Sequence, residues 1–131
     1  MNTSDWYVML LKPTWAPPAW LFGPVWSVLY VIIFISFGYV FGLFFQRKIS
    51  FAVLLPFLLN ILFNLAFSPI QFGLQNNVLA AVDILLVLMT LIWSFVVIYP
   101  KAAWVVYVNI PYLLWVCFAT VLQLTITVIN W

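Results

Sequence analysis

The 131-residue chain has no histidine, and its only acidic residues are Asp5 and Asp83, so glutamate is missing as well. General acid–base pairs, histidine–carboxylate metal sites and base-activated nucleophiles all need side chains that are not there. One cysteine, Cys117, lies in an apolar run, which leaves neither a disulfide framework nor a thiolate metal site. Charge is scarce: four basic and two acidic residues give a net +2, scattered along the chain. That is too little for nucleic acid, whose binding needs a clustered basic face. What the chain has instead is apolar side chains, at 69% of its residues, with 21% aromatic. A soluble domain of this size could not cover such a composition with polar surface, and bilayer hydrocarbon is the solvent that suits it.

Four apolar runs reach the length of about 20 residues that a membrane helix needs. They cover residues 19–45, 49–74, 78–99 and 102–129, separated by Gln46-Arg47-Lys48, Gln75-Asn76-Asn77 and Pro100-Lys101. Linkers this short make neighbouring helices antiparallel and bring them into contact. The expected fold is all-α: one integral membrane bundle of four transmembrane helices, residues 1–131 forming a single domain. Residues 1–18 carry Asn2, Thr3, Ser4, Asp5 and Lys12 and lack the pattern of a signal peptide. They are expected to be an extramembrane segment lying on the bundle. Arg47, Lys48 and Lys101 share one side and Lys12 the other, so the positive-inside rule places the first and third linkers in the cytoplasm.

Polar residues inside the runs keep helical spacing. Asn60, Asn64, Ser68 and Gln71 share one face, as do Thr120, Gln123, Thr127 and Asn130, and Asp83, Thr90 and Ser94 share another. Amides in hydrocarbon need partners, so these faces should point into the bundle, with Asn60, Asn64 and Ser68 toward Thr120 and Gln123. Two readings stand: helix–helix glue, or the lining of a pocket for a mostly apolar ligand. Asp83 is expected near a helix N-terminus, where the helix dipole favours a carboxylate. Gly38 and Gly42 form a GxxxG pair, either a homodimer face or a close contact within the chain. Trp6, Trp15, Trp104 and Trp131 suit membrane interfaces. Trp26, Trp93 and Trp115 lie deeper and suit an aromatic-walled site.

The stretch KPTWAPPAWLFGPVWSVLY, Lys12 to Tyr30, carries three tryptophans among four prolines. Pro17 and Pro18 cannot continue a helix from before and pre-set the start of one. The stretch closely resembles the signature of the TspO/MBR family, the tryptophan-rich sensory and translocator proteins also known as peripheral-type benzodiazepine receptors. NLAFSPIQFG (Asn64–Gly73), the Asp83 element and PYLLWVCFATVL (Pro111–Leu122) are similar to further family segments. The resemblance implies a receptor or carrier for porphyrin-type ligands, protoporphyrin IX or haem, held non-covalently. It implies a pocket at Trp26, Asn64, Trp115, Ala119 and Leu122, with Phe22 and Tyr30 nearby. It also implies five helices, the first preceding the Trp6–Pro13 segment. Since the sequence begins just before that segment, four helices are expected here, as a truncated product or a four-helix variant. The groove so left would be covered by a second copy or another partner.

The sequence departs from the family pattern at Asn60, where a Gln is expected, and at Ile98, where a Trp is. Its C-terminal run lacks the basic residue of a sterol motif. The alternative functions are light-dependent porphyrin breakdown, implied for some bacterial family members and resting here on Trp26 and Trp115, and a ligand-free structural or regulatory subunit. A small drug/proton antiporter fits poorly, because that exchange needs a carboxylate deep in the membrane.

Overall fold

The computed structural model describes residues 19–70, 74 and 76–130, without the side chains of Ala19, Phe22 and Ser68. The expected extramembrane segment 1–18 and the interfacial Trp6, Trp15 and Trp131 lie outside them, as does the side chain of Gln71. Among the described residues the structure is helical, with no strand. A 3₁₀ turn at Ala19–Leu21 leads into α1 (Phe22–Phe45). Then follow α2 (Phe51–Ser68), α3 (Asn77–Ile98), the short α4 (Ala103–Val108) and α5 (Ile110–Ile129). At 1.5 Å per residue, α1, α3 and α5 each reach about 30 Å or more, the thickness of bilayer hydrocarbon. These three are long and apolar enough to cross a membrane, and α2 is a shorter apolar helix. The fold is the expected all-α membrane bundle.

The helix ends follow local chemistry. Pro24 is the third residue of α1, where a missing N–H breaks no helical bond. The α1 C-terminus closes with two reverse bonds, Lys48 N–H to the Leu43 carbonyl and Arg47 N–H to the Phe44 carbonyl, both 2.9 Å. That pairing is a Schellman motif, and it puts Arg47 at φ 60°. α3 starts at Asn76, whose side chain accepts from the Leu79 N–H at 2.9 Å as an N-cap.

Two expected runs come out differently. The second ends as an α-helix at Ser68, not at residue 74, because Pro69 follows and the chain passes through a π turn at Pro69–Ile70. The fourth is broken at Asn109, two residues ahead of Pro111, whose ring would clash with the Tyr107 carbonyl in a continuous helix. The Asn109 N–H turns to the Val106 carbonyl at 3.1 Å. Its side-chain Nδ2 takes over the Val105 carbonyl at 2.7 Å and reaches Ser36 Oγ on α1 at 2.8 Å. The break is thus stitched both to its own helix and to α1.

α3 is the spine of the bundle, packed along α2 on one side and α5 on the other, while α1 meets α2 more loosely. Ala80, Ile84, Val87, Leu91, Ser94 and Ile98 are all buried. They alternate steps of four and three, a single seam along one helix face. α1 joins the core through Leu29, Phe37, Val40 and Leu43. Phe37 meets Phe57 of α2 edge to face, 4.9 Å between ring centres. A Cβ built on Gly38 or Gly42 meets nothing within 4 Å among the described residues, so neither glycine packs closely against another described helix.

Arg47 occupies the left-handed region that glycine adopts freely and other residues at a penalty of about 1–2 kcal/mol. Arg47→Gly should therefore stabilise the fold by about 0.5–1 kcal/mol after the greater freedom of the unfolded glycine is subtracted. A raised unfolding midpoint in detergent checks this, and a lowered one would count against it.

Candidate functional site

The polar faces do turn inward. Asn60, Asn64, Thr90, Ser94, Thr120, Gln123 and Thr127 are all buried. They do not meet as expected, however: Asn60 and Asn64 bond to α3 and to Tyr112 of α5, not to Thr120 or Gln123. Gln123 and Thr127 instead hold the start of α3, both reaching the Asn77 carbonyl, at 3.3 and 3.1 Å. This lower set is glue between helices. Asp83 is the seventh residue of α3, beyond the first turn where a helix dipole acts on a carboxylate, which corrects its expected place.

The upper set forms a continuous relay across four helices. Asn60 Nδ2 on α2 donates to the Val87 carbonyl of α3 at 3.0 Å and to Thr90 Oγ1 at 3.2 Å. The Tyr112 hydroxyl of α5 donates to Asn60 Oδ1 at 2.9 Å. Asn64 Nδ2 donates to the Tyr112 oxygen at 2.7 Å. The Tyr30 hydroxyl of α1 donates to Asn64 Oδ1 at 3.1 Å. Tyr112 is wholly buried and Asn60 nearly so, while Tyr30 is 42% exposed. The relay therefore runs from the bundle interior to a residue that is part exposed and lines a groove.

That groove, of about 700 Å³, lies between α1 and α2. Its walls are Ile33, Phe37, Gly38 and Phe41 from α1 with Ile61 and Leu65 from α2. Among the described residues Tyr30, Asn60, Asn64 and Tyr112 are its only polar lining residues, and none is charged. The volume lies within the 300–1,000 Å³ of small-molecule sites, and the pattern of apolar walls with a few polar groups matches theirs.

Trp26 packs beside this end of the groove. Its ring lies 5.5 Å from Tyr30, 6.4 Å from Tyr112 and 6.5 Å from Trp115, the last two edge to face. Trp115 also stacks on Phe118 at 5.5 Å. A shallower depression of about 560 Å³ on the other side of this cluster is lined by Pro24, Val28, Leu29, Pro111, Trp115 and Phe118.

The structure thus brings Tyr30, Asn64, Trp26 and Trp115 of the expected pocket together. Ala119 packs half-buried against the core, and Leu122 is buried on α5. The Phe22 side chain is outside the described set. Trp93, 41% exposed, lines neither the groove nor the outer depression, so the structure does not bring it to the aromatic cluster. Tyr112 was not among the expected site residues, although it joins both asparagines. Its signal was its place one turn before Trp115 and Val116, on the inward face of α5.

A family model described as TspO/MBR matches residues 1–129. The Bacillus cereus tryptophan-rich protein TspO is 41% identical over 128 residues, covering 95% of this chain and 80% of that protein. A Chlorobaculum tepidum protein of the same name is 35% identical over 133 residues, covering 97% and 80%. The human translocator protein is 37% identical over 128 residues, covering 90% and 70%.

The relay can be weighed by deletion. Tyr112→Phe orphans Asn60 Oδ1 and an Asn64 N–H, both buried, and should destabilise the protein by about 1–3 kcal/mol. Tyr30→Phe orphans one acceptor at the groove edge and should lose about 0.6 kcal/mol, the average for hydrogen bonds between membrane helices. Unfolding of both variants in mixed micelles compares them, and equal losses would mean that the relay is no buried network.

Proposed function

The chain belongs to the TspO/MBR family and is a multi-pass integral membrane protein, and from that premise we propose that it is a receptor or carrier for a porphyrin-type ligand. The observation that carries the reading is the union of an aromatic cluster with an apolar groove. Tyr30 and Tyr112 line the polar end of a 700 Å³ groove whose described walls carry no charge, Trp26 packs against both, and Trp115 packs behind Trp26. A tetrapyrrole is a wide, flat, largely apolar disc with carboxylates on one edge. Aromatic faces and aliphatic walls suit the disc, and its carboxylate edge would point away from the apolar walls. The name of the human relative, translocator protein, agrees with a carrier role. No acid–base set stands in the groove, which favours binding over hydrolytic chemistry.

Protoporphyrin IX should quench the intrinsic tryptophan fluorescence of the purified protein saturably. Trp26→Ala and Trp115→Ala each remove an aromatic contact of about 0.5–1.5 kcal/mol beyond the apolar area lost. Affinity should fall at least about tenfold, since 1.4 kcal/mol is one decade. Trp93→Ala, on the outer face of α3, should change it little. Equal binding by all three variants would mean that porphyrin is dissolving in the micelle, and the receptor reading would be withdrawn.

The same reading takes Gly38 and Gly42 as the contact of a homodimer, supported by the open space over both. Replacing both with Leu should remove a chemically crosslinked dimer in detergent while leaving helical content unchanged. A dimer band of undiminished intensity would exclude this face.

A further inference from the structure

Each bond of the relay has a direction, and that direction is set at its inner end. The Val87 carbonyl is a backbone oxygen that only accepts, so Asn60 must turn its amide nitrogen toward it. Thr90 sets the same orientation independently. Its proton goes to a backbone carbonyl, Leu86 at 2.8 Å or Val87 at 3.1 Å, so its oxygen can only accept from Asn60. Asn60 Oδ1 then faces Tyr112 and takes the hydroxyl proton. The Tyr112 oxygen in turn must accept, which draws in the Asn64 nitrogen. Asn64 Oδ1 is left facing Tyr30, and Tyr30 must give its proton inward. Flipping either amide would set oxygen against oxygen, and in this buried place an unmade bond forfeits about 1–3 kcal/mol.

The consequence appears at the groove. Tyr30 is the exposed end of the relay, yet its proton is committed to Asn64, so it offers the groove only lone pairs. The one N–H left over belongs to Asn64, which is 7% exposed against 42% for Tyr30. Among the described residues no cation lines the groove. A carboxylate brought to Tyr30 would meet lone pairs with no described cation to offset its charge. A neutral hydroxyl or N–H would complete the chain as its last donor.

We infer that the Tyr30 end of the groove is a subsite for a neutral hydrogen-bond donor, and that the occupant is an apolar molecule bringing a hydroxyl or N–H to the Tyr30 oxygen. It rests on the groove being the ligand site, and adds what the ligand must present at its inner end. An occupant with carboxylates enters with that edge outward, and one whose only inner group is an acceptor binds more weakly.

Three probes on one skeleton test it: 1-pyrenebutanol, its carboxylic acid analogue 1-pyrenebutyrate, and the methyl ester of that acid. Energy transfer from tryptophan to pyrene reports binding to the full chain in nanodiscs at mildly alkaline pH, where the acid is ionised. The alcohol should bind saturably and about three- to tenfold more tightly than ester or carboxylate, the worth of one net hydrogen bond. Tyr30→Phe should bring the alcohol down to the level of the ester and leave the ester unchanged. Three results overturn the inference: ester or carboxylate matching the alcohol, a preference that survives Tyr30→Phe, or no saturable binding of any probe. The two readings fail separately. Porphyrin that does not bind while the alcohol preference holds ends the tetrapyrrole reading alone. Porphyrin that binds through Trp26 and Trp115 with no alcohol preference ends this one alone.

Discussion

Amide and hydroxyl groups placed in hydrocarbon have no water to fall back on, and the site is organised by how this chain meets that demand. The bond from Asn60 to the Val87 carbonyl joins α2 to the spine helix and fixes which way the Asn60 amide points. From that one orientation follow the proton of Tyr112, the amide of Asn64 and the hydroxyl of Tyr30. A purely apolar seam would pack as densely but would specify no direction. Here the polar groups tie α1, α2, α3 and α5 together at one height, and the same bonds determine what the groove can recognise.

The groove itself follows from unequal packing. α3 is held on both sides, with a seam of small and aliphatic residues that lets α2 and α5 lie close. α1 is anchored at points: Phe37 against Phe57, Ser36 to Asn109, and Tyr30 to Asn64. Between those anchors its wall toward α2 is partly Gly38, which has no side chain to fill the space. Membrane helices gain no hydrophobic energy by leaving lipid for each other, so a loosely packed pair persists if a few bonds hold its ends.

Much of this was legible in the sequence, for reasons that can be located. The apolar runs announced the helices because hydrocarbon demands length and apolarity together. Asn60 and Asn64 announced their inward face because four-residue spacing and polarity leave no other place for them. Trp26, Tyr30 and Trp115 came from the motif, and the structure brings their rings together. The partners did not show. Spacing says which face of a helix a residue occupies, not which neighbour lies opposite at the same height. Thr120 and Gln123 were therefore matched with Asn60 and Asn64, whereas Tyr112, earlier on α5, is the residue that meets both asparagines. Trp93 misled for the same reason: depth along a helix was read as depth within the bundle. The break at Asn109 was hidden by an unbroken apolar run, although Pro111 marked it.

The break carries a further step of the argument. Asn109 is fully buried, and its side chain serves both the Val105 carbonyl and Ser36 on α1. Two residues later Pro111 lines the outer depression, and Tyr112 enters the relay. A straight helix through this region would hold the Tyr112 ring by continuity with α4 alone. The break lets α5 start afresh, with its first turn set by a bond to α1 on one side and by the two asparagines of α2 on the other. The position of Tyr112, and with it the polarity that reaches Tyr30, thus depends on three helices rather than one. A site built this way keeps its hydrogen-bond direction even where α1 and α2 stand apart.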